Sequence, residues 1–142
     1  MAPVRILVVD DFEAWRRSIV SIISDDPELQ VIHEASDGLE AVHMSQELQP
    51  DLVVLDVGLP KLSGFEAARR IREVSPDSKI LFLSVIASQY VIREALRIGA
   101  AGYVAKADAL RDLLPAVRDA MADREFLSLS ILPEPQTDLP EE

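Results

Sequence analysis

Two adjacent aspartates, Asp10 and Asp11, close the apolar run Ile6-Leu7-Val8-Val9 of this chain. A third, Asp56, closes the run Leu52-Val53-Val54-Leu55, and a lone lysine, Lys106, follows Ala101-Gly102-Tyr103-Val104-Ala105. Ser84 ends a further run, Lys79-Ile80-Leu81-Phe82-Leu83. If these runs are neighbouring parallel strands, one sheet edge gathers three carboxylates, a hydroxyl and an ammonium. Carboxylates crowded in this way repel one another, and the natural compensation is a hard divalent cation, which prefers oxygen ligands. Taken singly, each residue has an ordinary explanation. Asp11 could cap the helix that starts near Phe12, Asp56 could be a loop acid, Lys106 a solvated surface lysine and Ser84 a satisfied strand hydroxyl. Their joint placement on one edge is far more specific than any member alone.

The elements needed to position them are legible. Residues 4–9, 30–35, 52–56, 79–84 and 101–105 are short runs rich in Val, Ile and Leu. Between them, Trp15, Ile19, Ile22 and Ile23 follow helical spacing, as do Leu110, Leu113, Leu114, Val117 and Met121, with weaker patterns over 38–48, 65–74 and 88–98. Turn residues separate the segments, among them Asp25-Asp26-Pro27, Asp37-Gly38, Gln49-Pro50-Asp51, Ser75-Pro76-Asp77 and Gly99. This predicts five strand–helix units. Strands apolar throughout imply burial on both faces and a parallel sheet, and right-handed crossovers place helices on both sides of it. Sites in such sheets lie beyond the carboxyl ends of the strands, where Asp10, Asp11, Asp56, Ser84 and Lys106 all fall. Pro115 interrupts the last amphipathic segment: either that helix kinks, or its regular part begins at Asp112 as N-cap, with Pro115 in the first turn.

At 142 residues, 49% of them hydrophobic, the chain suits one domain with a self-sufficient core, placed over residues 1–126. Residues 127–142, with Pro133, Pro135 and Pro140 among acids, read as a linker or frayed tail. No apolar stretch approaches the roughly 20 residues that span a bilayer, and Met1-Ala2-Pro3 leads straight into the first strand without a signal-peptide pattern. The absence of cysteine excludes disulfides and thiolate metal sites and fits a reducing cytoplasm. A net charge of −11 argues against direct nucleic-acid binding by this chain.

These residues together resemble the receiver domain of bacterial two-component response regulators, over about residues 4–125. The motifs are Asp10-Asp11, the segment Asp56-x-x-Leu59-Pro60-x-x-x-Gly64, Ser84 at the end of the fourth strand, and Gly102-Tyr103-Val104-Ala105-Lys106. The resemblance implies a flavodoxin-like (βα)5 three-layer α/β sandwich with five parallel strands in the order 2-1-3-4-5. It implies that Asp56 accepts a phosphoryl group from a histidine kinase or phosphotransfer protein, assisting its own phosphorylation and dephosphorylation rather than acting as a conventional enzyme. Attack by a carboxylate needs the charge on the equatorial phosphoryl oxygens neutralised. Mg2+ held by Asp11, Asp56 and the Gly58 backbone carbonyl, with Asp10 acting through water, would supply this. Lys106 would pair with one phosphoryl oxygen as a point charge, and Ser84 would donate to another. The displacement of Ser84 lets Tyr103 swing inward in the family's switch; the ordinary reading of Tyr103 is a half-exposed strand aromatic. Trp15 reads as packing, and His33 and His43 as structural or solvated.

Lys106-Ala107-Asp108, in place of the usual proline after the lysine, and Gly99-Ala100-Ala101-Gly102-Tyr103 resemble the subfamily with a C-terminal LuxR-type helix-turn-helix. DNA would then be reached through a domain absent from these residues, with phosphorylation-dependent dimerisation through the Tyr103 face or the first and last helices. Val85 is bulkier than the small residue common after the switch serine, and neither Gly58 nor Ile86 offers a polar side chain to orient a hydrolytic water. The alternatives are a stand-alone receiver, a phosphorylation-independent interaction module, and a Mg2+-dependent aspartyl-phosphate phosphatase. A phosphatase of that kind would carry Asp-x-Asp after the first strand, not an adjacent pair. A dinucleotide-binding domain fails for want of Gly-x-Gly-x-x-Gly.

Overall fold

The computed structural model describes residues 2–85 and 88–128. Strands β1 (Val4–Val9), β2 (Leu29–Ala35), β3 (Leu52–Asp56), β4 (Lys79–Ser84) and β5 (Gly102–Ala105) alternate with helices α1 (Glu13–Ser24), α2 (Gly38–Leu48), α3 (Gly64–Val74), α4 (Gln89–Ile98) and α5 (Ala109–Met121). All are parallel, and the order β2-β1-β3-β4-β5 is the predicted one. The count of five needs correction. A sixth strand, β6 (Phe126–Leu127), adds in parallel to β5, pairing Gly102 with Phe126 and Tyr103 with Leu127. Two residues carry too little periodicity to announce a strand. Ser128, just beyond, is fully buried, and its backbone N–H donates to the Tyr103 carbonyl. Pro133, Pro135, Pro140 and the rest of the predicted tail from residue 129 lie outside the described residues.

Successive strand side chains point to opposite faces, and both faces are covered, which is why the strands are apolar without alternation. Leu7, Val9, Val53, Leu55, Ile80, Phe82 and Tyr103 pack with Ala41 of α2, Ala67, Ala68 and Ile71 of α3, and Ile92 and Ala95 of α4. Ile6, Val8, Leu52, Val54, Leu81, Leu83 and Val104 face Ile19 and Ile23 of α1 and Leu113, Ala116, Val117 and Ala120 of α5. Helix starts follow capping chemistry: Asp37 accepts from the Glu40 N–H at 2.8 Å, and Ser63 accepts from the Glu66 N–H at 3.3 Å. Pro115 sits inside α5, which runs from Ala109, so the regular helix does not begin at Asp112.

Gly64 explains the last letter of the Asp56 motif. A Cβ there would lie 2.2 Å from the Asp56 carbonyl oxygen and 2.6 Å from the Val57 Cα. Both obstacles are backbone, so α3 can approach the end of β3 this closely only at a glycine. Gly64→Ala is expected to cost about 2–3 kcal/mol, the upper range for overpacking. Urea unfolding would measure it, and a loss within 0.5 kcal/mol, an ordinary surface effect of about that size, would contradict the assignment.

Candidate functional site

Strand register builds the site. Val9 pairs with Leu55, so Asp10 and Asp56 emerge side by side from β1 and β3. Ser84 pairs with Ala105, so Lys106 leaves β5 next to the end of β4. One carboxylate oxygen each from Asp10, Asp11 and Asp56 falls within 4.8 Å of the others. Lys106, only 6% exposed, opens a 3-10 turn over Lys106–Asp108. Its Nζ lies 2.8 Å from Asp10 Oδ2 and 3.3 Å from Asp56 Oδ2. It is therefore a buried counter-charge, not a solvated lysine.

The ordinary explanation of Asp11 also fails. Phe12 is the N-cap of α1 and no side chain caps that end. Asp10 Oδ1 instead accepts from the Phe12 N–H at 2.9 Å, tying down the loop and leaving Asp11 exposed beside the other two acids. Asp10 Oδ2 is buried with no aligned hydrogen-bond donor, its ion pair with Lys106 notwithstanding. A buried, incompletely satisfied oxygen among three carboxylates suits a hard divalent cation. Burial pushes the Asp56 carboxyl above the usual carboxylate range; Lys106 pulls it down and Asp10 pushes it up. Gly58 is exposed, and its N–H donates to Asp56 Oδ1 at 3.3 Å.

The family model described as the response regulator receiver domain matches residues 6–118. The chain belongs to this family. Among curated relatives of this receiver, it is 34% identical over 128 residues to the response regulator GacA of Pseudomonas viridiflava, covering 90% of this chain and 60% of that one. It is 38% identical over 124 residues to the DNA-binding transcriptional activator DevR/DosR of Mycobacterium tuberculosis, covering 87% and 57%. The chain thus spans somewhat under two thirds of these relatives. A LuxR-family two-component response regulator from Aurantimonas sp. SI85-9A1 superposes with a TM-score of 0.86 at 33% identity, covering 92% of this chain and 93% of that one.

Within the receiver fold, Tyr103 differs from expectation. It is neither half-exposed nor turned outward: it is fully buried, its ring 6.4 Å from that of Phe82. Burial raises its hydroxyl pKa, and a hydrogen bond with Ser84, itself 1% exposed, lowers it. The inward position is already taken in this structure, where Tyr103 shares a bond with the serine that was expected to release it. Val85 is 73% exposed, and Ile86 lies outside the described residues.

Three contributors were not read from the sequence. Arg16 on α1 donates to the Asp10 carbonyl at 3.0 Å and bridges Glu34 at 3.1 Å, fixing the acidic loop. The Ser128 hydroxyl accepts from the Ala105 N–H at 3.1 Å, and its hydrogen bond to buried Asp112 ties β6 to α5. The ring of Trp15 lies 5.2 Å from Lys106 Nζ. Helical spacing marked Trp15 as an inward residue but could not say that a charge would sit on it.

Proposed function

We propose that this receiver takes a phosphoryl group from a histidine kinase or phosphotransfer protein onto Asp56, and that the modified domain regulates transcription through a DNA-binding domain outside this chain. The observation that carries the reading is the convergence of Asp10, Asp11, Asp56 and Lys106 on one pocket. Nothing in a phosphorylation-independent interaction module would demand all four. Asp56 Oδ attacks phosphorus, a C–O–P acyl phosphate forms, the N–P bond breaks, and its electron pair leaves with the imidazole. Lys106, already at Asp56, would meet one phosphoryl oxygen, and the Ser84 hydroxyl another. Mg2+, held by Asp11, Asp56 and the Gly58 carbonyl with Asp10 through water, would neutralise phosphoryl charge when bound. The same reading includes action in the cytoplasm and a phosphorylation-dependent dimer; no helix among the described residues is long and apolar enough to cross a membrane.

The test is incubation with acetyl phosphate, with and without Mg2+, followed by intact-mass measurement. Uptake of one phosphoryl group only with the metal is expected; none, or uptake indifferent to chelation, contradicts the reading. Steady turnover of phosphate monoesters would favour the phosphatase alternative.

Lifetime follows from the residues that come after Asp56 and Ser84. Val85, which follows Ser84, is apolar and Gly58 has no side chain, so neither can orient a hydrolytic water. The acyl phosphate is therefore expected to persist for minutes or longer in Mg2+ without a partner protein. Decay within seconds, followed by mass or by a phosphate-release assay, would rule this out.

A further inference from the structure

The binding of Lys106 is lopsided. Its ammonium meets Asp10 and Asp56 and also stands over the Trp15 ring, 5.2 Å from the centroid, with 5% of the side chain exposed. A lysine ammonium is strongly hydrated and gives up water only for comparable partners. An indole face, the best of the aromatic acceptors for a cation, is such a partner. We propose that Trp15 is a positioning residue for phosphoryl transfer, holding the Lys106 ammonium toward the reacting carboxylate and excluding water from it. This rests on the phosphoacceptor reading above and goes beyond it.

Two further observations support the role. A groove of about 470 Å³ between α1 and α5, lined by Ile22, Ala109 and Leu110 among others, opens beside Trp15 and reaches Lys106. Without the ring, the ammonium would gain a hydrated path into that groove, away from Asp56. The ring itself is held, because Arg16, the next residue, anchors the first turn of α1 to the Asp10 carbonyl and to Glu34. The helix that carries the aromatic face is thus locked to the loop that carries the acids.

Trp15 is the chain's single tryptophan, so its emission reports this contact alone. The experiment uses wild type, Trp15→Phe and Trp15→Leu, each checked for a cooperative unfolding transition. Leucine keeps apolar bulk without a π face, whereas phenylalanine keeps the face. Phosphorylation by acetyl phosphate and Mg2+ is expected to slow about threefold to tenfold in Trp15→Leu and to stay within about twofold in Trp15→Phe, given ordinary cation–π strengths. In the wild type, beryllofluoride with Mg2+ should change the tryptophan emission as Lys106 is drawn to the phosphoryl mimic. Equal rates for wild type and Trp15→Leu, equal slowing in both variants, or an unchanged emission would each overturn the role. Those results leave wild-type uptake intact, whereas failure of the phosphoacceptor reading removes uptake from the wild type itself.

Discussion

Asp56→Asn is expected to abolish phosphoryl uptake while making the metal-free protein more stable. Amide nitrogen and oxygen cannot form the acyl phosphate, so intact mass after acetyl phosphate and Mg2+ should remain that of the unmodified variant. Equal uptake by variant and wild type would refute the acceptor. The stability gain follows from the electrostatics of Asp56. Its carboxyl is desolvated and stands beside Asp10, and these outweigh the pull of Lys106, so its pKa is raised in the folded state. The folded protein then binds that proton more readily than the unfolded chain does. The stabilising contribution of Asp56 is present at acid pH, below the ordinary carboxylate pKa, and is lost as pH rises through the raised value. At neutral pH the charge is a cost, and the neutral, isosteric amide removes it. Without metal, the thermal midpoint of Asp56→Asn should exceed that of wild type near pH 7, with the gap closing on acidification. A gap that widens on acidification would contradict the direction of the shift. Saturating Mg2+ should narrow the gap by stabilising only the wild type's full carboxylate set.

Most of the fold was legible because parallel strands buried on both faces have an unmistakable composition. Val53, Val54 and Leu55 sit on alternate faces, and no polar residue interrupts them. The edge cluster was legible for a related reason: polar residues that end apolar runs in a parallel sheet are carried to the same side by the register. What remained hidden depended on contacts with no local signature. β6 exists because Phe126 and Leu127 meet the open edge of β5 and because Ser128 finds the Ala105 N–H and Asp112, partners 23 and 16 positions away in sequence. Tyr103 is inward because Phe82 and Ser84 receive its ring and hydroxyl, a packing preference that residue type does not encode. Pro115 lies within a helix that starts at Ala109 and not at Asp112, one of the two alternatives left open, and the neighbouring apolar positions Leu113, Ala116 and Val117 are all fully buried against the sheet.

Lys106→Met should have the opposite effect from Asp56→Asn, and a larger one. Methionine fills a similar volume and keeps a contact with Trp15, but it removes the cation from between two carboxylates that are 0% and 7% exposed. Truncating one partner of a buried ion pair leaves the other charge uncompensated, at a cost of about 3–5 kcal/mol. Here Asp10 Oδ2 suffers most, because it has no aligned hydrogen-bond donor to fall back on. Urea unfolding in the absence of metal should show that loss, and a second change, Asp10→Asn, should restore much of it by deleting the stranded charge. The pair must therefore be non-additive, as residues in direct contact are. If the two losses simply add, Lys106 stabilises the pocket through its aliphatic stem and not through its charge. Mg2+ should also rescue Lys106→Met more strongly than wild type, since the ion supplies the positive charge that the lysine held in its place.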